Sequence, residues 1–420
     1  MLKSKATPSK YFLVFFGLIV ILTYFMPMNR THRVYNDHTM RWQESRYMWH
    51  GINAYDIASG LLPPIEGIGA LRHDMGYPPW AMVSGILMNF TFLPAETSSQ
   101  VMQALIFAGL LTAIGLAYIH GKAKGYANVD IVLLAVSILM LQGWYTVWRW
   151  LNFGALFGIL LCILVILNEE EEHPVIAGLL LSWVFSKPQM AAPFIIVMMF
   201  RGKWKTLFVA GAVVVIQFAF ACIHTGTSPI RFLGQIGTGL IGRSFIRDTL
   251  QILGVSNTVH LSRTLSMLIA MGILVFITIN LPKKCDKWVV YAAPAVISQI
   301  WTYNQPHDST IYIIFLFAIF DFLKRQSDGQ PTPISWRMIA WAGLISVTVR
   351  SNHLGRIFAG IFDIGAGGVN HFIFVSYPYI QILTLIMLLM DCYTYMPDSS
   401  DSDITQPLKR NRLKKLLNEV

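Results

Sequence analysis

The chain has 420 residues, of which 55% are hydrophobic and only 13% are charged, and its mean hydropathy is +0.53. These values exclude a set of soluble domains and predict one polytopic membrane domain. The formal net charge of +10 does not indicate a nucleic-acid partner. The Lys and Arg residues stand mainly in short turns between apolar runs and in the C-terminal tail, where they set topology and contact lipid headgroups.

Continuous apolar runs predict membrane-spanning helices, since a bilayer core of about 30 Å needs roughly 20 apolar residues per helix. Two runs are ambiguous: 78–93 is short and begins with proline, and 175–200 is interrupted by Lys187-Pro188. The clear runs are 11–28, 100–119, 129–141, 151–167, 207–223, 265–281, 288–301, 311–323, 336–349 and 375–390.

The positive-inside rule resolves the two ambiguous runs. If 78–93 is a full span and 175–200 a single one, the turn HGKAKG falls outside. If 78–93 is a juxtamembrane or re-entrant helix and 175–200 is a hairpin that turns at Lys187, every basic turn and the tail lie inside. The second alternative predicts an all-α bundle of about 12 transmembrane helices in one domain, 1–396, with juxtamembrane helices in a large first outer loop. The basic tail, 397–420, is predicted to be cytoplasmic and disordered.

The first long polar interval runs from Asn36 to Pro79, with Asp37 at its start and Tyr77 opening the Tyr-Pro-Pro sequence at its end. Asp37 fits two roles that can coexist. It can cap the helix that follows it, and it can act as the general base that takes a proton from an attacking hydroxyl. Arg41 and its aromatic neighbours fit a helix lying on the bilayer surface, which would form one wall of the same site.

Lys187 lies in the middle of a long apolar run, where an exposed ammonium would cost roughly 2.5 to 3.5 kcal/mol. It therefore caps a hairpin turn or faces a polar cavity, where it would pair with a phosphate. The outer loop 225–263 is either a solvated amphipathic connector or part of the phosphate site. In the second case the candidates are Arg243 and Arg247, one helical turn apart, together with Arg149, because guanidinium groups bind phosphates in a bidentate manner.

The last candidates stand at the starts of apolar runs. Asn152 lies at one mouth of the predicted cavity. His307 is either a helix-start residue or a donor to a departing phosphate oxygen. Asp308 either caps the next helix or lines the site.

Several patterns are absent from the sequence. There is no HExxH, GxSxG, GxxxxGK[ST] or GxGxxG motif in a fitting context, which argues against intramembrane proteases, hydrolases and nucleotide-driven pumps. The four cysteines lack CxxC spacing and predict neither a disulfide framework nor a zinc site. DxD, the usual nucleotide-sugar clamp, occurs only in the polar tail at 401–403 and not within the predicted membrane domain, which favours a lipid-phosphate sugar donor.

The sequence resembles the GT-C superfamily of membrane glycosyltransferases and, within it, glycosyltransferase family 87, the polyprenyl-phosphate-mannose-dependent mannosyltransferases. The matching features are Asp37 after the first span, the GxNxYD run at 51–56, YPP at 77–79, the Asn-x-Gly element ending at Gly154, and the Lys-Pro of AGLLLSWVFSKPQ. The family usually has Gly-Gln-x-Asn where this chain has Arg149-Trp-Leu-Asn152, so the role of the glutamine does not carry over.

The resemblance implies a catalytic module over about 1–310 and an inverting transfer with Asp37 as base. The donor would be a polyprenyl-phosphate hexose, with mannose the first candidate, and the acceptor a lipid-linked or glycan hydroxyl. The site would lie on the non-cytoplasmic face of the plasma membrane, with membrane lipids around the protein. No cofactor is required, and a divalent metal is left open. Two alternatives remain open: a flippase or transporter of a lipid-linked or anionic substrate, and a glycan polymerase or ligase.

Overall fold

The computed structural model describes residues 37–71, 77–144, 146, 151–169, 172–241, 263–282, 284–301, 306–327, 333–349 and 366–394. The predicted first span at 11–28 and the tail 397–420 lie outside these residues. The structure is 81% helix, and no strand occurs in the described part of the chain. The predicted all-α class is therefore confirmed.

The α-helices of the described residues are numbered in chain order. They are α1 (Asp37–Trp49), α2 (Ala54–Ala58), α3 (Pro79–Met88), α4 (Ala95–Ala123), α5 (Asn128–Leu139), α6 (Gly154–Glu169), α7 (Pro174–Val184), α8 (Pro188–Phe200), α9 (Trp204–Thr225), α10 (Pro229–Ile241), α11 (Arg263–Asn280), α12 (Lys287–Ile300), α13 (Tyr312–Ser327), α14 (Ile334–Thr348) and α15 (Ala366–Thr394). A 3₁₀ helix, Pro306–Ile311, leads into α13.

Each clear apolar run in the described part of the chain forms a helix. Two of these helices, α4 and α9, are long and apolar enough by themselves to cross a membrane. Only described residues were compared in this way, so the predicted number of about 12 spans stays a prediction.

The centre of the bundle consists of α12 and α13. Side chains on every face of both helices are buried, among them Trp288, Tyr291, Phe315 and Phe317. Helix α9 has the opposite pattern, since Ile223 is 82% exposed. A helix that exposes large apolar side chains in this way is suited to contact lipid.

The run 175–200 is broken as the sequence predicts, into α7 and α8 with Lys187 between them. Pro188 begins α8, a position where its missing N–H costs no helical hydrogen bond. After α8 the chain is back at the end of the bundle where α7 begins. Lys203, just after α8, shows this, since its Nζ donates to the carbonyl of Asn168, just before α7, at 2.8 Å. At 1.5 Å per residue, arms of 11 and 13 residues reach about 16 to 20 Å, which is less than a bilayer core. The hairpin is therefore confirmed.

The run 78–93 forms the short helix α3, whose 10 residues extend about 15 Å. After α3 the chain reverses through Phe90, a non-glycine residue with φ 47. Helix α3 packs between α1 and α9. Its length fits the juxtamembrane or re-entrant alternative, and the placement of α3 relative to the bilayer stays a prediction.

Two expectations are wrong. Helix α1 does not lie on a surface, because Tyr47 and Met48 are fully buried and its polar Glu44 is only 4% exposed. Trp42 and Tyr47 pack against α2, α3 and the segment 65–71 instead. The structure also contains a disulfide between Cys285 and Cys392, which are separated by 107 residues. No local spacing motif can reveal a pair that distant.

The bundle has two chemically different ends. The basic turns gather at one of them, which we call the basic end: Lys124 Nζ lies 2.7 Å from Asp286 Oδ2, and Lys203 Nζ lies 3.4 Å from Glu169 Oε2. Helix α4, with 29 residues, extends about 43 Å from the basic end to α1. The end at α1 is called the site end, because most of the candidate residues lie there.

Candidate active site

Asn152 joins two parts of the chain at the site end. Its Oδ1 accepts a hydrogen bond from the Gly154 N–H at 2.7 Å, which satisfies a free donor at the start of α6. Its Nδ2 donates to Asp37 Oδ2 at 2.8 Å, across 115 residues of sequence. Leu151, just before it, has a left-handed backbone with φ 49, which turns the chain into this position. One amide therefore caps a helix and orients the predicted base.

Lys187 and Asp308 form a buried ion pair. Lys187 Nζ lies 2.6 Å from Asp308 Oδ1, and the two residues are 5% and 1% exposed. The hairpin turn supplies the lysine, and the 3₁₀ helix before α13 supplies the aspartate. Removing two charges from water is costly, so such a pair persists only when the geometry between the charges is good.

Gly154 brings the two pairs into one cluster. A Cβ at this position would lie 2.7 Å from Asn152 Oδ1, and 2.9 Å from both Asp308 Oδ1 and Lys187 Nζ. The two polar pairs therefore meet at the same point, in the space that the missing side chain leaves. No residue larger than glycine fits there unless a polar atom of the cluster moves.

Tyr77 completes the cluster. Its ring lies 3.9 Å from the Arg41 guanidinium carbon, which stacks over it, and 5.7 Å from the ring of Phe153. Its carbonyl accepts from Tyr55 Oη at 2.6 Å. Burial raises the pKa of the Tyr77 phenol, against the opposing influence of Lys187 and Arg41, so its hydroxyl remains protonated at neutral pH.

The structure thus brings together five of the predicted site residues, which are Asp37, Tyr77, Asn152, Lys187 and Asp308. The backbone of His307 belongs to the 3₁₀ helix next to Asp308, but its side chain is outside the described part.

Three other candidates, Arg149, Arg243 and Arg247, lie outside the described residues altogether. Their assignment to phosphate binding stays a prediction, and so does that of the His307 side chain.

Sequence reasoning missed two features of the cluster. The first is the role of Gly154, which was recognised only as part of a short motif. The second is Glu44, whose carboxylate accepts from Arg41 Nη1 at 2.5 and 2.6 Å. The Arg-x-x-Glu spacing on a predicted helix is a signal for this pair, because residues three apart face the same side.

The arrangement combines a carboxylate, a cation and a phenol around a small volume. Asp37 is only partly buried, and no described residue donates a hydrogen bond to its Oδ1. Lys187 supplies positive charge in a low-dielectric setting, where charge is more effective than in water. Among the described residues, no group of three His, Cys, Asp or Glu side chains could hold a metal ion.

Comparison with known proteins identifies the family. The sequence profile of glycosyltransferase family 87 matches residues 76–323, which is more than half of the chain. Four of the clustered residues lie within this segment, and Asp37 lies outside it, joined to it by the bond to Asn152. The comparison with curated protein sequences yields no match to an individual relative. On the extent of the profile match, the chain belongs to glycosyltransferase family 87.

Proposed function

We propose that this glycosyltransferase moves a hexose, with mannose the first candidate, from a polyprenyl-phosphate donor to the hydroxyl of a lipid-linked or glycan acceptor. The observation that carries the proposal is that the Asp37–Asn152 pair and the buried Lys187–Asp308 pair both border the space beside Gly154, where a Cβ would lie 2.7 to 2.9 Å from atoms of each pair. A proton acceptor and a cation side by side are what a single displacement at a sugar phosphate needs.

In the proposed reaction the acceptor oxygen attacks C1 of the sugar while the bond from C1 to the phosphate oxygen breaks. The acceptor proton passes to Asp37, whose Oδ2 is held by Asn152 while Oδ1 faces the incoming hydroxyl. The electron pair of the broken bond stays with the leaving polyprenyl phosphate. One displacement inverts the configuration at C1, and no covalent enzyme intermediate forms.

Lys187 is the proposed partner for the charge that develops on the leaving phosphate. Because Asp308 holds it by an ion pair in a buried position, its ammonium is fixed before substrate arrives. Fixed charges of this kind need no rearrangement during the reaction, which is the basis of electrostatic catalysis. His307, Arg149, Arg243 and Arg247 are proposed to contribute to the same phosphate site from its rim.

The site is proposed to face the non-cytoplasmic side of the plasma membrane. Supporting this orientation, basic residues of several predicted inner turns lie together at the basic end. The candidate site lies at the opposite end of α4. Under the positive-inside rule, the basic end belongs in the cytoplasm.

The proposal is tested with membranes that contain the overproduced protein and a polyprenyl-phosphate mannose labelled in the lipid. We expect release of polyprenyl phosphate that depends on the protein and on an added acceptor extract. Matched membranes lacking the protein provide the control. If no polyprenyl-phosphate hexose yields polyprenyl phosphate, the proposal is overturned, and transport of a lipid-linked substrate becomes the leading explanation.

A further inference from the structure

Two hydrogen-bond donors at the site end are buried and lack a partner. They are Tyr77 Oη and Arg41 Nε, and neither forms a hydrogen bond with any described residue. Buried polar atoms in folded proteins are nearly always paired, because each unpaired group costs about 1 to 3 kcal/mol. Tyr77 Oη also lies within electrostatic reach of the proposed base and cation, which suggests that a substrate supplies its missing acceptor.

Tyr77 is held rigidly from several sides. The Arg41 guanidinium lies over its ring, Phe153 packs against the ring, and Tyr55 fixes its backbone carbonyl. Arg41 is itself fixed by the two bonds to Glu44, which is buried. These contacts hold the Tyr77 ring in place, so the position of Tyr77 Oη is set before any ligand binds.

The chemistry around Tyr77 selects the ligand atom. The charge of Lys187 acts on the Tyr77 phenol, so the phenol hydroxyl lies within electrostatic reach of that ammonium. The phenol remains protonated and therefore donates. An oxygen that accepts from a neutral hydroxyl and faces a cation is best matched by an anionic phosphate oxygen.

We propose that Tyr77 Oη donates a hydrogen bond to the phosphate of the polyprenyl-phosphate donor, and that Arg41 is a positioning residue that holds the Tyr77 ring for this contact. The inference rests on the proposed function, since it names a contact of the same donor. Arg41 acts through its stacking on the ring and does not touch the substrate.

The first test is Tyr77→Phe, which removes only the hydroxyl and keeps the ring. A hydrogen bond to a charged group is worth about 1.5 to 3 kcal/mol, so kcat/KM for the donor should fall about 10- to 100-fold. KM for the acceptor should stay within about twofold, because the acceptor oxygen binds on the Asp37 side. An unchanged donor kcat/KM overturns the inference and leaves the proposed function intact, whereas an inactive wild-type protein overturns both.

The second test separates the role of Arg41 from a merely structural one. Arg41→Lys keeps the charge but loses the planar stack and the paired bonds to Glu44. It should lower donor kcat/KM in the wild-type background, and by less than about twofold in the Tyr77→Phe background. The control is Arg46→Lys on the same helix, where the guanidinium lies 5.7 Å from the Trp42 ring. Equal effects of Arg41→Lys in both backgrounds would refute the positioning role.

A binding measurement identifies the ligand group and does not depend on turnover. A short-chain polyprenyl phosphate should raise the melting temperature of the purified wild-type protein more than that of Tyr77→Phe. The matching polyprenol, which lacks the phosphate, should affect both equally. If polyprenyl phosphate stabilises both proteins equally while binding of the sugar-bearing donor differs, Tyr77 contacts the sugar and the phosphate assignment is wrong.

Discussion

Gly154→Ala is the most selective perturbation that the structure offers. It keeps every charged and polar group of the site, and it adds one methyl group at the start of α6. That methyl would lie 2.7 Å from Asn152 Oδ1 and 2.9 Å from both Asp308 Oδ1 and Lys187 Nζ. Carbon atoms do not approach polar atoms so closely, so the two pairs must separate by several tenths of an ångström.

The expected effect on stability is modest, and the expected effect on catalysis is large. Overpacking by one methyl group costs about 1 to 3 kcal/mol, and here the crowded atoms are the ends of flexible side chains, so the lower figure applies. A misplacement on the order of 1 Å can reduce a reaction rate about 100-fold. We therefore expect kcat to fall roughly 10- to 100-fold in a protein that still folds.

Two other glycines provide matched controls. A Cβ at Gly115, on α4, would meet nothing within 4 Å, so Gly115→Ala should leave both activity and melting temperature unchanged. A Cβ at Gly158, one turn beyond Gly154 on α6, would lie 2.3 Å from the Thr310 carbonyl oxygen. Since backbone cannot move aside cheaply, Gly158→Ala should lower the melting temperature strongly.

The assay is transfer from labelled polyprenyl-phosphate mannose by the three purified variants, together with their melting temperatures in detergent. The expected pattern is an unaffected Gly115→Ala, a folded but slow Gly154→Ala and an unstable Gly158→Ala. Wild-type kcat in Gly154→Ala would refute the assignment of this cluster as the reaction centre.

Three further predictions concern charge and topology. Lys187→Met should destabilise the protein by about 3 to 5 kcal/mol, because it removes the cation that lies 2.6 Å from the buried Asp308. The double variant with Asp308→Leu should recover most of this loss in chemical unfolding, and equal destabilisation of both variants would contradict the ion-pair account. Burial lowers the pKa of His38 from 6.5 to about 4, so the unfolded chain takes up this proton at a higher pH than the folded protein does. Stability should then fall as the pH drops from about 6.5 to 4, by on the order of 3 kcal/mol, and His38→Gln should flatten this profile of melting temperature against pH; an unchanged profile would exclude His38 as its cause. Lys122→Cys, at an exposed position of the basic end, should react with a membrane-impermeant maleimide only after the membrane is permeabilised. Labelling of this cysteine in intact cells would show that the proposed orientation is wrong.

Local sequence signals predict the helices well. Apolar runs, prolines and the charge bias of the turns were enough to anticipate the break at Lys187 and the short helix at 78–93. Each of these features depends on residues close together in sequence, where helix length and proline geometry decide the outcome.

Local sequence patterns do not predict which residues of the site pair with each other. The sequence identified Asp37, Asn152, Lys187 and Asp308 separately, but the pairing of Asn152 with Asp37 and of Lys187 with Asp308 spans 115 and 121 residues. Such contacts follow from how the helices pack, which the local patterns of a single sequence do not predict. The burial of α1 was missed for the same reason, because its aromatic residues suit a membrane surface as well as a protein interior.

The central claim is that Asp37 takes the acceptor proton, and Asp37→Asn tests it most directly. The amide keeps the size of the side chain and an oxygen that can accept from Asn152, but it cannot serve as a base. The control is Glu66→Gln, an exposed carboxylate in the same polar interval. We expect Asp37→Asn to bind the polyprenyl-phosphate donor as the wild type does and to transfer no sugar, with Glu66→Gln fully active. Sustained turnover by Asp37→Asn would contradict the account.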